Sequence, residues 1–196
     1  MTSRVDAYLA TLARVTREAE VTDQTGARLE LAAGLERFGI AARTAHRVGD
    51  KLIFIGNGGS AAIASHLAID YSKNGQLRAL AFNDASALTC LANDFGYEHV
   101  FARQLEFHGR PRDMLIAISS SGSSANILAA VATARTLGLM VVTMSGFEDD
   151  NPLRKSGDVN FYVRSREYGF VEIGHLSLCH AALDIHLGWG CPRGRG

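Results

Sequence analysis

After residue 50 the chain repeatedly gathers apolar residues into short runs without alternation: "KLIFIG", "RALAF", "DMLIAIS", "LMVVTMSG" and "VNFYVR". A strand with one wet face alternates apolar and polar side chains. Unbroken apolar runs of this length suit strands buried on both faces, as in a parallel sheet between helix layers. Between them, "SAAIASHLAIDYSKN" and "SSANILAAVATARTLG" read as helices, the second stopping at Gly138 as a left-handed cap. A last helix is expected from Phe170 to Leu187. Upstream, Val5, Tyr8, Leu9, Leu12 and Val15, then Leu31, Leu35 and Phe38, recur at helical spacing, which predicts two amphipathic helices broken near Gly26. The expected fold is α/β, a parallel sheet between helix layers. Residues 1–48 form an N-terminal helical extension, 189–196 a flexible tail, and all 196 residues one domain. Right-handed crossovers gather the loops after the strands at one sheet edge, where ligands bind.

Composition narrows the partner. Lysine plus arginine (20) balances aspartate plus glutamate (20), and no block of like charge occurs, so the electrostatic footprint of a duplex nucleic-acid binder is missing. Cys90, Cys179 and Cys191 are odd in number and not closely paired, which fits a reducing cytosol. No segment approaches the roughly 18–20 apolar residues of a membrane span. A soluble cytoplasmic protein with a small-molecule or protein partner is expected, with no nucleic acid and no membrane.

Two loops carry the first chemical signal. "GNGGS", residues 56–60, leads from a strand into a helix and lets Asn57, Gly58, Gly59 and Ser60 bring free N–H groups close to a ligand. A strand-to-helix turn also favours Gly and Ser for conformational reasons alone. The second loop, "ISSSGSSAN", places five hydroxyls around one glycine, again at a helix start where the dipole favours negative charge. Neither loop matches GxxxxGK[ST] or GxGxxG, which argues against a nucleotide and against a nucleotide-dependent oxidoreductase. A sugar phosphate fits better.

The ionisable residues carry the second. His66 and Asp70 stand at i and i+4, so they share a helix face and can reach one ion or one proton; such a pair also occurs as an ordinary solvated face. "VEIGHLSLCH" sets Glu172, His175 and His180 in an otherwise apolar helix, with Glu172 and His180 about two turns apart and able to project to a similar side. Zinc or a similar divalent ion suits a His/Asp plus Glu/His set. His175 is read either as a core residue or as one reaching a neighbouring subunit, and Cys179 as core.

The segments "GNGGSAAIASH", "LANDFGY", "ISSSGSSANI" and "EIGHLSLCH" together resemble the sugar isomerase (SIS) domain proteins, and within them the phosphoheptose isomerases of heptose biosynthesis. These convert sedoheptulose 7-phosphate to D-glycero-D-manno-heptose 7-phosphate. The resemblance implies a three-layer αβα sandwich around a doubly wound, Rossmann-like sheet of five parallel strands, a homotetramer with active sites at subunit interfaces, and often one zinc ion per subunit. By position it assigns the phosphate to Ser119, Ser120, Ser121 and Ser124. It assigns the sugar to Asn57, Gly58, Gly59, Ser60, Asn93, Asp94 and Glu172, acid–base catalysis to Asp70 and His180, and the metal to His66, Asp70, Glu172 and His180. Three departures stand out: Asp70 where these isomerases usually carry Glu, Glu172 where they carry Gln, and Gly169 where an Asp often touches the sugar. The alternative is a non-catalytic protein of the same family, binding a phosphosugar or associating with a replication initiator, or an isomerase of another sugar phosphate.

Overall fold

The computed structural model describes residues 3–190. In chain order the elements are α1 (Arg4–Arg17), β1 (Glu20–Asp23), β2 (Arg28–Leu29), α2 (Leu31–Arg47), β3 (Leu52–Gly56), α3 (Gly59–Lys73) and β4 (Ala79–Ala81). There follow α4 (Ala85–Phe95), α5 (Val100–His108), β5 (Met114–Ser119), α6 (Ala125–Thr136), β6 (Met140–Ser145), β7 (Val159–Tyr162) and α7 (Tyr168–His186). All seven strands join one sheet in the order β2-β1-β7-β6-β5-β3-β4.

The five apolar runs become the five parallel strands β3 to β7. Their pleat explains why the runs do not alternate. Leu52 and Phe54 face a layer containing Phe38 of α2, Leu67 and Tyr71 of α3 and Leu178 of α7. Their neighbours Ile53 and Ile55 face the opposite layer, with Val100 and Leu105 of α5 and Ile127 and Val131 of α6. Both faces are dry, so the strands are mainly apolar, and the buried Thr143 and Asn160 satisfy each other, Thr143 Oγ1 donating to Asn160 Oδ1 at 2.8 Å. Taken in chain order the parallel strands run 2-1-3-4-5, and the direction of winding reverses between β3 and β5. The crevice beyond the carboxyl ends of those two strands is the place such sheets hold ligands.

The N-terminal region departs from expectation. Gly26 does interrupt it, but as the left-handed residue (φ 84°) of a hairpin turn rather than a break between helices. Asp23 closes that turn, its Oδ1 accepting from Thr25 N at 2.8 Å and Ala27 N at 3.1 Å. The two short strands it joins extend the sheet in antiparallel fashion along β7, pairing Val21 with Phe161, so the sheet has seven strands rather than five. Only Val21 of β1 is buried, and it packs on Gly34 of α2, where a Cβ would come within 2.6 Å of its Cγ1. One buried side chain in four leaves no apolar run to read.

Helix boundaries follow local chemistry. Ser3 and Asp6 cap α1 reciprocally, Ser3 Oγ accepting from Asp6 N at 3.0 Å and Asp6 Oδ2 from Ser3 N at 3.2 Å. Gly138, at φ 77°, stands just past α6. The last helix starts at Tyr168, two residues earlier than expected. Of the expected tail, residues 191–196 lie outside the described residues, as does Cys191. No helix among the described residues is long and apolar enough to cross a membrane.

Candidate functional site

The loops after β3 and β5 meet at the reversal point and form a cleft of about 240 Å³. It is lined by Asn57, Gly58, Gly59, Ser60, Ser119, Ser120, Ser121, Ser124, Tyr168 and Glu172. On the β3 side, Gly58 takes φ 54° and ψ −120°, a conformation that a Cβ would disfavour, and this starts α3 abruptly. The first intrahelical bonds fall to Ala61 and Ala62, which donate to Asn57 O and Gly58 O. The amides of Gly59 and Ser60 find no acceptor among the described residues and stand as donors at the positive end of the helix.

On the β5 side the hydroxyls converge on one another. Ser119 Oγ lies 3.2 Å from Ser124 Oγ and 3.5 Å from Ser121 Oγ, and it accepts from Gly122 N at 3.2 Å. Ser120 is 6% exposed, and its Oγ is buried without a partner among the described residues. A buried hydroxyl lacking a partner costs on the order of 1–3 kcal/mol. The residue lines the cleft, although this oxygen itself is not open to it. Asn126, which sequence reasoning passed over although it ends the quoted loop, ties the two loops together. Asn57 Nδ2 donates to Asn126 Oδ1 at 2.8 Å and Asn126 Nδ2 returns the bond at 2.9 Å, while Tyr97 Oη donates to Asn57 Oδ1 at 3.1 Å. Most of the amide of Asn57 is thus spent on scaffolding.

The connection from β6 to β7 supports the serine loop from behind. Leu153 N donates to Gly122 O at 3.0 Å, and Gly122, at φ 63°, presses its Cα onto Asn151 so closely that a Cβ would overlap the amide. Asn151 is held in turn by donation to Ser145 Oγ, Gly146 O and Glu148 O. His175 sits buried beneath the same region. Ser145 O can only accept, so His175 Nε2 carries the proton and donates at 2.9 Å. Burial lowers the His175 pKa to about 4, so the ring is neutral. It is a core residue. Cys179 is core as well, its thiol pKa raised by burial.

Outside the cleft, α7 runs beside α3 and brings His180 to His66. Their Nε2 atoms are 3.2 Å apart, Asp70 Oδ2 lies 3.4 Å from His66 Nε2, and His180 Nδ1 is 3.8 Å from the same oxygen. One candidate ligand atom from each of the three can be chosen so that all lie within 4.8 Å of one another. In a tetrahedral zinc site with bonds of about 2.0–2.1 Å, ligand atoms stand roughly 3.3–3.4 Å apart. The donor set of two imidazoles and a carboxylate therefore fits one divalent ion with a position left open.

Glu172 does not join these three. It stands eight residues before His180, about 12 Å along the helix axis, and is not part of that cluster in the single chain. Its carboxylate lies instead over Gly59, where a Cβ would overlap both oxygens, at the end of the cleft formed by α3. Asn93 and Asp94 also fall elsewhere: they are exposed on α4, Asn93 Nδ2 donating to Asp94 Oδ1 at 2.8 Å, and neither lines the cleft. Tyr168 was not foreseen, and no motif marks it.

Residues 18–146 match the family model described as SIS domain. The chain belongs to the SIS domain family. Among its relatives in that family it is 44% identical to the phosphoheptose isomerase of Paramagnetospirillum magneticum over 142 residues, 69% of this chain and 73% of that one. It is 39% identical to the phosphoheptose isomerase of Akkermansia muciniphila over 171 residues, covering 84% and 90%. The solved phosphoheptose isomerase from Neisseria gonorrhoeae superposes with a TM-score of 0.80 at 31% identity, over 93% of this chain and 96% of that one. His66 and Asp70 lie on α3, which follows the first loop, and His180 on α7, which follows β7.

Proposed function

We propose that this chain is an aldose–ketose isomerase of phosphorylated sugars that converts sedoheptulose 7-phosphate to D-glycero-D-manno-heptose 7-phosphate through an enediol. The observation that carries this reading is that one helix connects the two functional regions. Helix α3 opens at the anion cleft with Gly59 and carries His66 seven residues, or about 10 Å, further along. A sugar phosphate with its phosphate among the serines can lay its carbon chain along that helix and present C1 and C2 to Asp70 and His180. Similarity to phosphoheptose isomerases over most of the chain selects this substrate among ketose phosphates.

The reaction moves a proton between C1 and C2, so it needs a base at the carbon-bound proton and an acid at the carbonyl oxygen. Asp70 is the carboxylate within reach, and His180 is the group that can give and take a proton beside it. The Nε2 atoms of His66 and His180 face each other 3.2 Å apart, and an ion held between them would take both lone pairs in place of a ring-to-ring hydrogen bond. His66, Asp70 and His180 would hold a divalent ion, with zinc expected, and such an ion supplies polarisation of the carbonyl oxygen. Glu172 serves the sugar end of the cleft.

A homotetramer with sites at subunit interfaces belongs to the same proposal. Its support is the apolar surface near the site: Val5, Tyr8 and Leu9 on α1, Ile69 on α3 and Ile173 on α7 are all exposed in the single chain. A cytoplasmic location is supported by the free thiols of Cys90 and Cys179.

The test is incorporation of solvent deuterium at C1 or C2 of sedoheptulose 7-phosphate by the purified protein. Exchange is expected. Its absence across several ketose phosphates would replace this reading with that of a non-catalytic phosphosugar-binding member of the family.

A further inference from the structure

The cleft holds one residue that its anion chemistry does not use. Apart from Tyr168, its lining consists of glycines, serines, one asparagine and one glutamate. Among the described residues Tyr168 is the only aromatic one lining that wall, and it is 63% exposed. It opens α7 one turn before Glu172, so the two side chains share the helix face that looks onto the cleft.

The ring is held in place. It meets Phe147 edge to face, with centroids 4.9 Å apart and planes at 84°. Phe147 itself has φ 56°, a conformation costing a bulky residue on the order of 1–3 kcal/mol, which persists only where the surroundings impose it. They do so here: Tyr162 Oη donates to Phe147 O at 2.9 Å, and Phe147 N donates to Ser165 O at 2.9 Å. A strained backbone thus supports a platform whose outcome is the orientation of one exposed ring at the mouth of a polar cleft.

We propose that Tyr168 is a specificity-determining residue that lays its ring along the carbon chain of a phosphorylated ligand seated in the serine loop, with Phe147 as its positioning residue. This rests on the reading of the cleft as a sugar-phosphate site. The C–H edges of a polyol chain pack against an aromatic face, whereas a bare phosphate offers nothing for the ring to cover. Tyr168 therefore selects for what is attached to the phosphate.

Calorimetric titration of the full chain with sedoheptulose 7-phosphate and, separately, with inorganic phosphate tests the assignment. Tyr168→Ala should weaken the sugar phosphate about tenfold, the scale of one aromatic contact, and leave inorganic phosphate within about twofold. Tyr168→Phe should bind both ligands as the parent does. Phe147→Ala should show the same selectivity with a smaller loss, roughly threefold. Unchanged sugar-phosphate binding by Tyr168→Ala overturns the proposal, as does an equal loss for both ligands or a Tyr168→Phe defect as large as that of alanine. A parent protein that binds inorganic phosphate but no ketose phosphate overturns the functional reading as well, which separates the two failures.

Discussion

The serine cleft and the His66–Asp70–His180 group lie on the same helices yet are built in opposite ways. The cleft is made at strand ends, where Ser119 and Ser120 are 5% and 6% exposed and Asn126 and Asn151 lock the loops from behind. The ionisable group stands on the outer helix layer, with the His66 side chain 50% and the His180 side chain 31% exposed. A site that grips must be shaped before the ligand arrives, because ordering loops at that moment costs affinity. A site that moves protons needs access and groups free to change state. The contrast teaches that binding and turnover should separate cleanly under mutation.

The largest effect expected from that separation is at Asp70. Asp70→Asn should lower kcat by about a thousandfold, the scale of a lost general base, while sugar-phosphate affinity stays within about twofold. Steady-state kinetics beside equilibrium binding checks this, and a parallel loss of both would break the distinction.

Acid should damage the cleft from below through His175. Its pKa of about 4 in the folded chain is depressed from 6.5, so the unfolded chain takes up the proton first as pH falls. The stabilising share of the neutral ring is complete above about pH 6.5 and is lost as pH falls toward 4, amounting to about 3 kcal/mol. Urea unfolding at pH 7 and pH 4.5 should show the drop, and His175→Gln should flatten it. An unaltered pH slope in that variant would remove His175 as the cause.

The smallest effect is at Glu172, whose carboxylate shares the cleft with the anion it is to receive. Glu172→Gln should tighten inorganic phosphate roughly threefold to tenfold, with the gain shrinking at high salt. Weaker binding in the variant would mean that the carboxylate holds the cleft open rather than opposing the ligand.

The parallel strands and both loops were legible because burial on two faces and tight strand-to-helix turns each leave a local composition. The hairpin was not, since Val21 alone is buried in β1 and the strand that fixes it to the sheet is β7, more than a hundred residues away. The pairing of His66 with Asp70 followed from their spacing, whereas the placement of Glu172 over Gly59 and of His180 beside His66 depends on how α7 lies along α3. Two turns look like one side on a helical wheel, yet they span about 12 Å of axis. Tyr168 was hidden for a similar reason: its role depends on Phe147, twenty-one residues earlier and bound to it only through the fold.

The contact between Gly122 and Asn151 has a bearing on attempts to redesign this pocket. Two segments separated in the chain act there as one mould, so grafting residues 119–124 onto another scaffold would transplant half of it. Libraries that randomise the serine stretch while holding position 151 fixed would sample shapes that the underlying amide already forbids, and productive variants are to be sought where both places change together.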